Sequence, residues 1–421
     1  MRAEDGARRA TRRAGVLRDR KFRLYWVGQT LSGAGNAMSS VALAFAVLAL
    51  THDASSLGLV LLAAQLPVIA FTVFGGVAGD RYPRRLVMLA TDSARAAVQA
   101  VTAVLLITGH ASVLGLGLLQ ACAGLGSAMF TPAASGLVAN LAPEGRVRQA
   151  NSLLSMSQAV AQVAALATAG AVVAALSPGA AFAVDSLSFL ASTLSLALVR
   201  SPALSAPPGK RRRLLGELGE GWQAVRQRPW LASYVAHVSL FNTIALSSFF
   251  VLGPLVAKRY LGGAPAWSAI GISYGVGAFA GSWVSLRWRP ARPMLATFAV
   301  SMAMAPLLAL LAVPTTLWLV LPAGVAAGAQ ASVYNTLATT CRQVNVPDHL
   351  LSRASSFVSL GGLVGVPVGM GLAGVAADTF GTHVVLLVAG GWVVASAVGA
   401  MAVPSARGRH PLAIADPVGA S

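Results

Sequence analysis

Acidic residues are the scarcest class of charge in this sequence: 13 Asp and Glu stand against 31 Lys and Arg. Glutamate occurs only at positions 4, 144, 217 and 220, all outside the apolar runs. Charged residues make up 10% of the chain, where a soluble domain carries about 25%, so a water-soluble globular domain is excluded. Two cysteines, Cys122 and Cys341, both fall in apolar runs and suggest neither a disulfide framework nor a metal site. Six scattered histidines and few acids form no catalytic cluster, which argues against an intramembrane enzyme. Without a Gly-rich run ending in Gly-Lys-Ser or Gly-Lys-Thr, the sequence has no ATP-binding loop. No cofactor and no metal are expected. A receptor would need a signalling domain, and no soluble segment exceeds a few dozen residues.

What is abundant is apolar length. Hydrophobic residues make up 56% of the chain, and the mean hydropathy is +0.70. Apolar runs lie near 24–50, 55–78, 86–108, 112–136, 150–176, 180–199, 230–256, 265–286, 293–312, 316–340, 353–376 and 384–403. Each suffices to cross a hydrocarbon core of about 30 Å, which takes roughly 20 helical residues. A helix satisfies its own backbone polar groups, and no alternating barrel-type strands are seen, so the runs read as twelve transmembrane helices. The first 23 residues hold nine Lys and Arg and no cleavage site, so they read as a tail and not a signal peptide.

The cations settle an orientation. With loops numbered alternately from a cytoplasmic N-terminus, 28 of the 31 fall on the cytoplasmic side. Lys258 and Arg259 fall outside, and Arg95 lies within the third span. This positive-inside split places both termini in the cytoplasm of a cell with the protein in its inner membrane. It accounts for the net charge of +18 without nucleic acid and is compatible with anionic lipid headgroups as partners. The expected organisation is a cytoplasmic tail (1–23), a six-helix bundle (24–199), a cytoplasmic central loop (200–229), a second six-helix bundle (230–403) and a cytoplasmic tail (404–421). Within the central loop, Leu214 to Trp222 is suited to a short amphipathic surface helix.

The two halves repeat weakly. Pro143–Ser152 and Pro347–Ser356 share Pro, acid, Ala and Ser in register, 204 residues apart, and Gly76 and Gly281 are 205 apart. Parallel repeats with a site between them near the midplane are a transporter architecture.

The sharpest motif is Gly75-Gly76-Val77-Ala78-Gly79-Asp80-Arg81-Tyr82-Pro83-Arg84-Arg85, between spans two and three. It resembles the G-x-x-x-D-R-x-x-R-R loop of the major facilitator superfamily. Phe22–Gln29, Asp92 with Arg95, Ala181–Leu190 and Tyr274–Ala278 resemble the exporter branch that includes siderophore and macrolide efflux proteins. The resemblance implies two pseudo-symmetric six-helix bundles. It also implies a cytoplasmic gate in which Asp80, with Gly76, Arg81, Arg84, Arg85, Asp92 and Arg95, holds the start of span eleven near Ser352 and Arg353. The second copy of the loop has Ser285 and Leu286 in place of the acid and the first Arg. Two further departures are Gln120, where antiporters of the superfamily often carry a span-four Arg, and Asn36, where the branch often has an acid.

Ionisable groups inside a membrane are costly and usually have a task. Asp185 in span six is the first candidate for proton coupling, because a buried carboxyl can trade a proton, and His237 in span seven is the second. Hydrogen-bonded structural roles are the bland alternatives for both. Asp92 and Arg95, three apart, share a face of span three. Asn151, Ser155, Gln158 and Gln162 form one polar face of span five. By family likeness spans one, four, seven and ten surround the cavity. The candidate substrate contacts are Asn36, Met38, Met129, Phe130, Phe241, Asn242, Tyr334 and Asn335, with Gln158 and Gln162 from span five. Met and Phe suit a broad apolar substrate. The expectation is a monomeric, proton-driven exporter of an amphipathic small molecule such as a drug, macrolide or siderophore. A nutrient importer or facilitator of the same fold is the alternative.

Overall fold

The computed structural model describes residues 16–143, 146–199, 222–223 and 225–408, and gives the backbone alone at 73–81, 139, 348–349, 352–354, 356 and 360. Among the described residues there are no strands and twelve helices long and apolar enough to cross a membrane. In chain order they are α1 Arg20–Thr51, α2 Ala54–Arg81, α3 Arg84–Ile107, α4 Val113–Leu141, α5 Val147–Ala175 and α6 Pro178–Leu198. Then come α7 Pro229–Leu261, α8 Ala264–Arg287, α9 Pro293–Ala312, α10 Leu317–Asn345, α11 Asp348–Phe380 and α12 Thr382–Ala402. The twelve expected spans are present. Several helices run past the apolar stretch, so that Arg81 and Arg342 sit on helical turns and not in loops. Hydropathy marks the lipid-facing length, whereas a helix continues wherever its own hydrogen bonds do. The amphipathic segment expected at Leu214 to Trp222 lies, except for Trp222, outside the described residues, as do the first 15 residues and the chain beyond 408.

Local chemistry explains the ends and breaks. Ser112 accepts from the Gly115 amide at 3.1 Å and Ser177 from the Ala180 amide at 3.1 Å, capping α4 and α6. Gly262 and Gly263, at φ 99° and 85°, make the tight turn into α8 that a side chain would resist. The α9 helix is interrupted at Met302–Ala303, where Pro306 removes a hydrogen bond and crowds the preceding turn. The α7 helix contains two π-helical stretches, Phe241–Leu246 and Ala257–Leu261.

The described helices form two compact units. One holds α1 up to Ala46 and α2 from Ala63 through α6; the other holds Val47–Leu62 and α7 to α12. In the first, α3 packs on α4 and α6; in the second, α9 packs on α10 and α12, α8 on α10, and α7 on α11. Their cores correspond. Phe22, Tyr25, Met88, Leu137, Leu154 and Leu196 make one cluster from the starts of α1, α3 and α5 and the ends of α4 and α6. Trp230, Tyr234, Met294, Phe298, Tyr334 and Ala400 make the other, from α7, α9, α10 and α12. Close crossings repeat as well. A Cβ on Gly124 of α4 would strike the Ala64 carbonyl of α2, and one on Gly328 of α10 would strike the Tyr274 carbonyl of α8. Those glycines are 204 residues apart, the offset already seen in the sequence.

Candidate functional site

The first unit carries its polar residues on the seam between α3 and α6. On α3, Arg85, Asp92, Arg95, Ala96 and Gln99 recur at helical spacing along one face; on α6, Asp185, Ser186, Phe189, Ser192 and Leu196 do the same. The helices pack closely and their groups meet rung by rung. Arg85 donates from Nε to the Leu196 carbonyl at 2.7 Å and from Nη2 to the Ala197 carbonyl at 2.6 Å, where α6 ends and leaves carbonyls unpaired. Ser192 Oγ donates to Asp92 Oδ2 at 2.6 Å and itself accepts from Gln29 Nε2 of α1 at 3.1 Å. Ser186 Oγ donates to the Ala96 carbonyl at 2.8 Å. Gln99 Nε2 donates to Asp185 Oδ2 at 2.9 Å, and Gln120 Nε2 of α4 reaches Gln99 Oε1 at 3.4 Å. Ser188 Oγ lies 3.4 Å from Asp185 Oδ1. Gly35 of α1 completes the enclosure, since a Cβ there would lie 2.6 Å from that same carboxylate oxygen.

Asp92 and Asp185 are both fully buried. Arg95 stands between the rungs they form. Its Nη1 is 3.9 Å from Asp92 Oδ1, a long ion pair, and the guanidinium lies 4.0 Å from the centroid of the Phe189 ring. Neither Arg95 Nε nor Asp92 Oδ1 has a hydrogen-bond partner. Gly126 of α4 makes room for the arginine, whose Cγ would be 2.8 Å from a Cβ at that position. The cluster therefore has two fully buried carboxyls and one largely buried guanidinium, and the cation makes a hydrogen bond to neither acid.

Other candidates are placed as follows. Arg84 has its guanidinium against Gly136 of α4, and Arg85 is on the end of α6, so both tie helices of their own unit. The side chains of Gly76, Asp80, Arg81, Ser352 and Arg353 lie outside the described residues. Phe130 is half-buried, 5.9 Å from the Arg95 guanidinium, and Met129 is half-buried beside it. Met38 is buried, while Asn36, Asn151, Ser155, Gln158, Gln162 and Asn335 are exposed.

In the second unit His237 is buried with both ring nitrogens engaged, Nδ1 with Ser396 Oγ and Nε2 with Ser301 Oγ, each at 3.1 Å. Phe298 meets its ring edge-on at 5.4 Å. Tyr234, Tyr334 and Phe241 stack in series, with centroids 5.7 and 6.3 Å apart. Phe241 and Tyr334 are thus buried in an aromatic pile, whereas Asn242 lies in the first π-helical stretch of α7, beside Gly362.

Gln29, Gln99 and Ser192 were not singled out by the sequence. Their signal was available: Gln99 and Ser192 stand seven residues from Asp92 and Asp185, two helical turns along the same faces.

Comparison with known proteins agrees with this architecture. The transmembrane secretion effector family matches residues 13–410. Macrolide efflux protein A of Streptococcus pyogenes is 25% identical over 257 residues, 59% of this chain and 62% of that protein's length. The multidrug efflux pump Tap of Mycolicibacterium fortuitum is 26% identical over 375 residues, 85% of this chain and 89% of Tap. Among solved structures, a variant of the nucleoside transporter NupG superposes with a TM-score of 0.77 at 11% identity, covering 91% of this chain and 99% of NupG, which speaks to fold alone. The chain belongs to the transmembrane secretion effector family of major facilitator superfamily transporters, a multi-pass membrane protein of two six-helix repeats.

Proposed function

We propose that the protein exports an amphipathic organic compound, of drug, macrolide or siderophore type, in exchange for protons by alternating access. The carrying observation is the buried seam in which Asp92 and Asp185 share a single cation, Arg95. Fully ionised, the buried cluster of Asp92, Asp185 and Arg95, which excludes Arg85 on the end of α6, holds a net charge of −1, and an uncompensated charge in an apolar interior costs several kcal/mol even after relaxation. One proton neutralises it. We assign that proton to Asp185, whose hydrogen-bond partners Ser39, Gln99 and Ser188 are all neutral, while Asp92 has the ion pair with Arg95 beside its bond from Ser192.

The efflux direction draws support from the names of the macrolide and multidrug relatives. The orientation, with both termini in the cytoplasm of the cell and the protein in its inner membrane, draws support from the arginine distribution. In this reading Asp80 and its arginines form the cytoplasmic gate with the start of α11. Asn36, Met38, Met129, Phe130, Gln158, Gln162, Phe241, Asn242, Tyr334 and Asn335 are the residues to probe for substrate contact, and the working unit is a monomer among membrane lipids. The alternative reading, an importer or facilitator, is favoured by Gln120 at the span-four position where the resemblance implies an arginine.

Purified protein in vesicles with an imposed pH gradient, tested against cationic, neutral and anionic compounds, separates the readings. Uphill movement of a drug that collapses with the pH gradient supports export. Movement of a sugar or organic acid down its own gradient, indifferent to pH, refutes it.

A further inference from the structure

The second copy of the loop motif keeps cations but has no acid. The first copy has Asp80 among Arg81, Arg84 and Arg85, whereas the second has Ser285 ahead of Arg287, Arg289 and Arg292. Ser285 is engaged within its own helix, donating from Oγ to the Gly281 carbonyl at 2.8 Å. No Asp or Glu occurs from 221 to 347, the stretch that holds α7 to α10. Arg287, Arg289 and Arg292 are all exposed, and among the described residues none of them forms an ion pair. Three positive charges within six residues repel one another, and the surrounding sequence supplies no counter-charge.

The surface beside these arginines is apolar and aromatic, and all of it belongs to the second unit. The α8 helix packs on α10 through Gly277 and Gly281, where a Cβ would strike the Val325 and Ala329 carbonyls. The other side of α8 carries Phe279 and Trp283, 80% and 56% exposed. One turn further on, Arg287 lays its guanidinium 4.0 Å from the centroid of the Trp283 ring. That cation–π contact runs the arginine stem along apolar surface and keeps its charge at the helix end. Trp288 ends the helix, its amide donating to the Val284 carbonyl at 2.8 Å. Trp283, Val284, Arg287 and Trp288 line an open cleft of about 610 Å³. The turn that follows, Arg289-Pro290-Ala291-Arg292-Pro293, is short, and its two prolines with fixed φ limit the conformations it can take.

We infer that the α8–α9 turn is a binding site for one anionic phospholipid, with the phosphate among Arg287, Arg289 and Arg292 and an acyl chain in the cleft along Trp283 and Phe279. Tryptophan suits the boundary between hydrocarbon and headgroups, because its ring is apolar and its N–H can stay wet. A guanidinium offers two parallel N–H groups to two phosphate oxygens and is weakly hydrated, so it gives up water readily for that partner. A soluble anion would use the arginines and leave Trp283 and Phe279 against water, whereas a lipid satisfies the charged and the apolar half together. The inference rests on the orientation proposed above, which puts this turn at the cytoplasmic face, and on neither the direction of transport nor its coupling to protons.

Lipids with brominated acyl chains quench a tryptophan that they touch, and this tests the site on the purified full-length protein in nanodiscs. The signal of the cleft is the quenching lost in Trp283→Phe/Trp288→Phe. It is compared between brominated phosphatidylglycerol and brominated phosphatidylcholine at equal mole fraction. An arginine beside an anionic headgroup favours it by roughly fivefold, so the preference for phosphatidylglycerol is expected to be at least about fivefold. In Arg287→Gln/Arg289→Gln/Arg292→Gln it should fall to about one. Arg289→Gln/Arg292→Gln, which keeps the Arg287–Trp283 contact, should fall part of the way and keeps the test open if the triple variant fails to fold. Arg18→Gln/Arg20→Gln/Lys21→Gln removes three exposed cations from the other unit and should leave the preference unchanged. An equal fall in that control assigns the preference to the positive field of the whole surface and overturns the site. Equal quenching by the two lipids in the wild type overturns it too, as does quenching by neither. Relief of phosphatidylglycerol quenching by millimolar inorganic phosphate, at matched ionic strength, gives the arginines to a soluble anion and overturns the lipid. No transport is measured, so failure of the export reading leaves this result standing, and failure here leaves export untouched.

Discussion

Replacing Asp185 by Asn changes the buried cluster of the α3–α6 seam (Asp92, Asp185 and Arg95) from two carboxyls and one guanidinium to one of each. The wild-type seam needs one proton to reach neutrality, and a second would leave a buried net charge of +1. One proton per cycle is therefore the stoichiometry that the charge count supports. A pH difference of one unit is worth about 1.4 kcal/mol per proton, a factor of about ten in concentration. Vesicles with the membrane potential clamped near zero should accumulate a neutral transported compound about tenfold per pH unit. In Asp185→Asn the remaining Asp92–Arg95 pair is already neutral, so the accumulation ratio should fall to about one while exchange down a concentration gradient persists. The substitution keeps the hydrogen bond from Gln99 to the side-chain oxygen, so folding should be retained. The assay is steady-state accumulation at three imposed pH differences, at matched protein content. An Asp185→Asn variant that still accumulates tenfold per unit refutes the assignment of the carrier. A wild-type slope of about a hundredfold per unit refutes the charge count.

Three further outcomes follow from the same geometry. Arg95→Met strips the shared cation from two buried carboxyls and should cost about 3–5 kcal/mol of stability, with about 1 kcal/mol or more recovered by adding Asp92→Asn, read as a double-mutant cycle by thermal unfolding. His237→Asn removes the partner of Ser301 and Ser396 and should cost about 2–4 kcal/mol, yet leave the pH dependence of transport unchanged, because a ring held by two hydroxyls has no charged partner to exchange with. Gly328→Leu drives a side chain into the Tyr274 carbonyl and should destabilise by about 3 kcal/mol, seen as a lowered Tm and poor recovery in detergent, whereas the same change at Gly391, with open space around it, should be tolerated.

The fold was legible because its signals are long and redundant. Twenty apolar residues at a time, flanked by arginines, specify a spanning helix whatever their detailed order, and the 204-residue offset visible at Pro143 and Pro347 reappears in the packing of Gly124 and Gly328. The site was half legible. Asp92, Arg95 and Asp185 stand out because charge is rare in the spans, but Gln29, Gln99 and Ser192 are ordinary polar residues whose importance comes from which helix faces which. His237 shows the opposite case: a titratable residue conspicuous in sequence proves to be hydrogen-bonded on both sides.

The seam also bears on the missing arginine of span four. The family resemblance leads one to expect a cation on α4, and α4 instead offers Gln120 and, six residues on, Gly126. Gly126 opens space that the Arg95 side chain fills from α3. Gln120 joins the chain Gln120–Gln99–Asp185, so the position remains wired to the same carboxyl through neutral amides. If coupling depends on the net charge of the buried cluster, the cation can be moved without loss provided it stays within reach of Asp185. The double variant Gln120→Arg/Arg95→Gln performs that move. It preserves two acids and one base, at a packing cost of about 1–3 kcal/mol for the larger side chain in a buried position. It should retain about tenfold accumulation per pH unit. Gln120→Arg alone supplies a second cation, neutralises the seam without a proton, and should behave as Asp185→Asn does. Should the double variant fold but equilibrate its compound instead of concentrating it, the place of Arg95 over the Phe189 ring, and not the charge balance, is what couples the proton to transport.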